Sequence, residues 1–188
     1  MTIKFEMFGH DTIKDVDKNA FVALVTAGGA VKEVNVRDGI GRAGAQLIVA
    51  RCDGEIVGVA ALKVPVPTYW PKLTEKSGFD VTPTTFPREL GYVAVSPAHE
   101  GKGIAKTLCD LTMRLAGDQG VFATTASAPM LTSILPRLGF NCVGRVWAGE
   151  PNDVTKILPA LHLMVRPEIT QPIAEVGMEA SNSTDGES

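Results

Sequence analysis

The chain is poor in the residues that build covalent frames and metal centres. Its three cysteines, Cys52, Cys109 and Cys142, are an odd number at wide spacing in 188 residues. That excludes a disulfide framework and reads as reduced thiols of a cytoplasmic protein. His10, His99 and His162 stand apart from one another, and none makes a ligand spacing with a cysteine, so no metal is expected. No apolar run approaches the ~20 residues of a membrane-spanning helix. The opening residues show no basic-then-apolar leader pattern. A soluble cytoplasmic setting without a membrane partner is therefore expected.

Positive charge is missing from the end of the chain. Residues 168–188 carry Glu168, Glu175, Glu179, Asp185 and Glu187 and no Lys or Arg. Without these five carboxylates the net charge of −3 becomes +2. The composition predicts a folded domain over residues 1–167 and an acidic, disordered tail over 168–188. The nearly neutral body has no electrostatic footprint for a nucleic-acid partner. What is present, 45% apolar and 21% charged residues, suits a soluble globular domain with a sizeable core.

Alternation of Ile3, Phe5 and Met7 with Lys4 and Glu6 predicts a first strand. Residues 11–27 predict a helix capped by Asp11 or Thr12 and ended by Gly28 and Gly29, with a short helix around Val31–Val36. Asp53 and Gly54 join two apolar runs, 46–52 and 55–63, as a hairpin, since both turn residues need positive φ. Five prolines in 64–87 predict a long loop there, with Tyr69 and Trp70 in it. Strands follow at 89–95, 121–126, 142–148 and 160–165, with helices at 103–117 and 129–138; Pro136 should bend or shorten the latter. The inner face of helix 103–117 is predicted to be Leu108, Leu111, Thr112 and Leu115. The strand–helix–strand unit spanning 89–126 makes its two strands parallel neighbours. The order fits an α/β (α+β) fold, a mixed, mostly antiparallel twisted sheet with helices on both faces.

The most informative stretch is Glu89–Leu108. It reads as a strand, a turn, a glycine-rich loop and the start of an amphipathic helix. Gly101 and Gly103 leave backbone N–H groups at a helix N-terminus free to face an anion such as a diphosphate. Lys102 and Lys106 add positive charge nearby. The spacing matches neither a P-loop nor a dinucleotide-binding fingerprint.

Residues 95–105 resemble motif A of the GNAT superfamily of acyl-CoA-dependent N-acyltransferases. That motif is Arg/Gln-x-x-Gly-x-Gly/Ala, following a strand that ends in Val. Glu100 stands at the Arg/Gln place, Gly103 at the central glycine and Ala105 at the last small residue. The hairpin over 46–63 and the Leu138, Gly139, Phe140 run extend the likeness across roughly residues 45–166.

The resemblance implies a splayed parallel strand pair, with acetyl-CoA as co-substrate inserted between the strands. Its pantetheine arm would pair with Val93, Ala94 and Val95, and its diphosphate would sit on Glu100, Gly101, Lys102, Gly103, Ile104, Ala105 and Lys106. The implied activity is N-acetyl transfer to a primary amine of a small molecule or peptide by direct attack. The alternative is a non-catalytic acyl-CoA-binding or regulatory module. Glu89, six residues before Val95, is the candidate general base, with His99 as a second candidate. Tyr69 and Trp70 are candidate acceptor-pocket walls, or else core anchors. Two departures stand out. Leu135 occupies the place of the family's tyrosine acid, and Ala128 that of a common asparagine. The thiolate then leaves unaided, or Ser133, Cys142 or Tyr92 substitutes. Homodimers are common in the family, but the sequence carries no dimer signature.

Overall fold

A computed structural model describes residues 2–149 and 160–170. Strand β1 (Ile3–Gly9) is followed by helices α1 (Asp15–Ala27) and α2 (Glu33–Gly41), strands β2 (Gln46–Cys52) and β3 (Glu55–Lys63), and helix α3 (Tyr69–Ser77). Then come β4 (Arg88–Val95), α4 (Ile104–Ala116) and β5 (Val121–Thr125). A π-helical turn at Met130–Ile134 runs into α5 (Leu135–Arg137), and β6 (Asn141–Ala148) and β7 (Ala160–Arg166) close the order. Among the described residues these strands form one sheet in the order β1-β2-β3-β4-β5-β7-β6, antiparallel throughout except for β4 and β5.

The two faces of the sheet are covered by different helices. Leu47, Val49, Val59 and Ala61 pack under α1 and α2 with Phe21, Val25 and Ile40. Ile48, Ala50 and Ala60 point the other way, to Ile104 and Leu108 of α4. Strands buried on both faces read as continuous apolar runs, which is why β2 and β3 are so legible. Their turn has Asp53 at φ 50° and Gly54 at φ 90°, the positive-φ pair that a two-residue hairpin requires. Phe122, Trp70, Leu73 and Leu163 form the core beneath α3.

Several expectations are corrected. Residues 64–87 are not one long loop, because α3 occupies Tyr69–Ser77. Pro71 is compatible with it: the proline lies in the first turn, where an N–H has no helical acceptor anyway. Helix α1 begins at Asp15, with Lys14 rather than Asp11 or Thr12 at its cap. The Thr12 hydroxyl instead accepts a hydrogen bond from Gly9 N at 2.8 Å. The buried face of α4 is Ile104, Leu108, Cys109, Thr112, Met113 and Ala116, so Leu111 and Leu115 lie at its edge. Pro136 lacks an N–H, and the helix before it widens: Leu135 N donates to Met130 O. The expected connection at 149–159 falls outside the described residues from 150 on, and the acidic tail does so from 171 on. Before that point, Ile169 N donates to Asp118 O at 2.9 Å.

Candidate active site

The site begins with a defect in pairing. Two residues of β4, Tyr92 and Val93, face one position of β3, because Val59 pairs with Ala94 and Ala61 with Gly91. Tyr92 sits at φ 54°, a left-handed conformation that costs an ordinary residue about 1–2 kcal/mol. Its surroundings hold it there. The phenol donates to Asn35 O of α2 at 2.9 Å, and Lys63 Nζ lies 4.3 Å from the ring centroid. Such a bulge bends a strand, and β4 leaves β5 after two parallel pairs, Arg88 with Val121 and Glu89 with Phe122. Beyond this fork, Val93, Ala94 and Val95 have no strand partner on the β5 side among the described residues.

A cleft of about 980 Å³ opens at the fork. At one end lies the loop from Ser96 to Gly103. Gly101 and Gly103 have φ of 72° and 77°, and an added Cβ at either would meet nothing within 4 Å. Gly103 caps α4 without a side-chain hydrogen bond, and the first helical bond runs from Thr107 N to Gly103 O. The first-turn amides of Ile104, Ala105 and Lys106 therefore have no acceptor within the helix. Of the residues named from the motif, Val93, Ala94, Val95, Glu100, Gly101, Gly103, Ile104, Ala105 and Lys106 line the cleft. Lys102 does not; its ammonium donates to Ala98 O at 3.0 Å. Glu100 is exposed. His99 lines the cleft, and its Nδ1 is hydrogen-bonded with the Ser96 hydroxyl at 2.8 Å.

The other end lies on the α1–α3 side of the sheet. Its walls include Val31 ahead of α2, Asn35 of α2, Tyr69, Lys72 and Lys76 of α3, and Trp147 of β6. Tyr69 is on this wall; Trp70 is not. The Trp70 indole is 6% exposed and donates to Phe86 O at 2.9 Å within the core. Helical geometry separates the two: Tyr69, Lys72 and Lys76 share one side of α3, while Trp70, Leu73 and Ser77 are buried on the other.

Glu89 is 5% exposed and is not part of the cleft wall. Its carboxylate pairs with Lys63 Nζ at 2.8 Å across the β3–β4 ladder. Its charge reaches both cleft tyrosines. Burial, and then the Glu89 charge, push the Tyr69 and Tyr92 phenols well above the usual tyrosine range. Tyr69 and Thr124 of β5 both line the cleft. Leu135, where the resemblance places a tyrosine acid, is fully buried in the core. Of the named substitutes, Tyr92 lines the cleft and Ser133 and Cys142 do not. Cys142 is exposed, 3.8 Å from His162 Nδ1. Nothing in the residue pattern signals the Lys63 pair, the Tyr92 bulge or the α3 wall. The first two depend on cross-strand register, and the third was hidden by the prolines around it.

Comparison with known proteins identifies the family and the fold. A family model described as the Acetyltransferase (GNAT) family matches residues 26–134. No curated protein matches the sequence. Among solved structures, an acyl-CoA N-acyltransferase from Pseudomonas aeruginosa is 20% identical with a TM-score of 0.62, covering 88% of this chain and 99% of its own. Escherichia coli ElaA is 17% identical with a TM-score of 0.64 and the same coverage. A Corynebacterium glutamicum protein, described as histone acetyltransferase HPA2 and related acetyltransferase, is 22% identical with a TM-score of 0.63, covering 92% and 100%. At such identities the likeness speaks for the fold.

Proposed function

The chain belongs to the GNAT family of acetyltransferases, and on that premise we propose that it moves an acetyl group from acetyl-CoA to a primary amine by direct attack. The acceptor is a small molecule or a peptide. The observation that carries this reading is the fork: β4 and β5 part after Glu89 and Phe122, and the cleft joins that gap to unpaired first-turn amides of α4.

The diphosphate of acetyl-CoA takes the N–H groups of the Gly101–Lys106 segment, where a helix N-terminus favours negative charge. His99 offers a further donor beside them, and Glu100 turns to solvent. The pantetheine arm pairs with Val93, Ala94 and Val95 as a third strand would. A strand N–H polarises the thioester carbonyl as a one-donor oxyanion site. Glu89, which does not itself line the cleft, takes the proton from the incoming ammonium through water before attack. The nitrogen then bonds the acetyl carbon, the C–S bond breaks, and the thiolate departs. With a thiol pKa near ~8.5 it leaves without a dedicated acid, consistent with Leu135 at the tyrosine place. The enzyme works in the cytoplasm, with residues 1–167 as its catalytic domain and the acidic segment 168–188 as an appended tail; the family also allows a homodimer.

A thioester-consumption assay with an amine panel, with mass detection of the acetylated product, tests the transfer. Glu89→Gln is expected to lower kcat/KM at neutral pH by about 10²-fold or more. The deficit should shrink at high pH, where the amine loses its proton unaided. An equal loss at every pH would remove Glu89 from the base role. The second reading, a non-catalytic acyl-CoA-binding module, is favoured by the fully buried Leu135. It predicts acetyl-CoA binding with no amine turned over.

A further inference from the structure

We propose that the acceptor is an amine carrying an anionic group, held by Lys72 and Lys76 of α3; this rests on the acetyl-transfer reading above. Tyr69, Lys72 and Lys76 fall at i, i+3 and i+7 and face the cleft together. Along the axis, the two lysines start about 5 Å and about 10 Å beyond Tyr69. Tyr69 marks the chemical end of the cleft: its ring centroid lies 6.0 Å from that of Phe122, the β5 residue that pairs with Glu89 at the fork. The acceptor half is thus polarised. The carboxylate beneath its inner end is already paired with Lys63, whereas two ammonium groups stand on its outer wall.

Among the described residues, no carboxylate lines the acceptor half; Glu100, the acidic residue on the cleft wall, belongs to the glycine loop at the opposite end. The remaining walls there are apolar or neutral, with Val31, Asn35, Tyr92 and Trp147. An acceptor whose amine points to the fork and whose carboxylate or phosphate points outward satisfies both ends. A polyamine or lysine-rich peptide would bring a second cation against Lys72 and Lys76. Each lysine already makes another contact, so the incoming anion competes with that contact. Lys72 is exposed and Lys76 half-buried, which leaves both side chains room to move. Arg145 fixes the outer end of the helix, donating to Lys76 O at 2.9 Å and to Glu75 O at 2.6 Å.

The test keeps the amine constant and changes the far end. Hexylamine, 6-aminohexanoate, 6-aminohexylphosphonate and 1,6-diaminohexane are compared with acetyl-CoA and the full chain. We expect kcat/KM for the two anionic amines to exceed that for hexylamine about tenfold, with the diamine poorest. The carboxylate and phosphonate arms show which anion fits better. In a Lys72→Met, Lys76→Met double variant the preference for the anionic amines over hexylamine should collapse through KM. Lys76→Glu alone should shift preference toward the diamine. Calorimetry of the same four amines against the CoA-loaded protein needs no turnover. Anion preference there supports the proposal even if no amine is acetylated, an outcome that would count against the transfer reading alone. A diamine bound or used as well as 6-aminohexanoate, or a preference that survives both lysine changes, would overturn it.

Discussion

A carboxylate held at 5% exposure needs a partner, and Glu89 has one in Lys63 at 2.8 Å. Removing that partner leaves a buried, uncompensated charge, so Lys63→Met is expected to cost about 3–5 kcal/mol in urea unfolding. A loss below about 1 kcal/mol would show that water screens the pair. The spacing of Glu89 from Val95 was legible in the sequence; Lys63 was not, because its place opposite Glu89 depends on the register of β3 against a bulged β4. The thiols separate in the same way. Burial, with Asp110 adding to it, pushes the Cys109 thiol up to about 12, while Cys142 is exposed. Iodoacetamide at pH 8 should therefore alkylate Cys142 and spare Cys109, as peptide mass mapping will read. Modification of Cys109 in the folded protein would contradict its packing.

At the scale of elements, the bulge in β4 and the start of α4 make the site. Tyr92 is clamped between α2 and Lys63, and α2 passes so close that a Cβ on Gly39 would lie 2.4 Å from the Tyr92 hydroxyl. Gly39→Ala should cost about 1–3 kcal/mol and disturb turnover more than acetyl-CoA affinity, since it shifts the acceptor side of the fork. An unchanged melting temperature together with unchanged kcat would contradict this. At α4 the glycine loop was readable in the sequence because positive φ and an unobstructed backbone leave a glycine signature. Helix α3 was not, because Pro71 in a first turn looks like a loop residue until Gly78, at φ 69°, is seen to end a helix. The bulge left no mark either: nothing about Tyr92 as a residue type announces a left-handed backbone.

For the whole molecule, the strand order and the parallel pair follow from the alternation of apolar runs and turns. The cleft gathers residues of α2, α3, the start of α4 and strands β4 to β7, which no single stretch of sequence brings together. Three neutral acids, the buried Cys109 and the half-buried Tyr69 and Tyr92, have folded-state values raised above their ordinary ones. The unfolded chain thus releases these protons first. The stability they carry is complete below about pH 8 and falls as pH rises from there toward the folded values. Chemical denaturation between pH 8 and 11 should show that decline; a flat profile would mean these groups are solvated. The reading of the site depends on backbone amides of α4 gripping a diphosphate. Proline is tolerated in a first helical turn and deletes one N–H, so Ala105→Pro removes a donor and Ala105→Val controls for bulk. Titration calorimetry should compare acetyl-CoA with S-acetylpantetheine, which lacks the diphosphate. The wild-type chain should bind acetyl-CoA at least tenfold more tightly. Ala105→Pro should lose most of that advantage and Ala105→Val should keep it. Equal affinity for the two thioesters, or no heat with millimolar acetyl-CoA, would contradict the assignment.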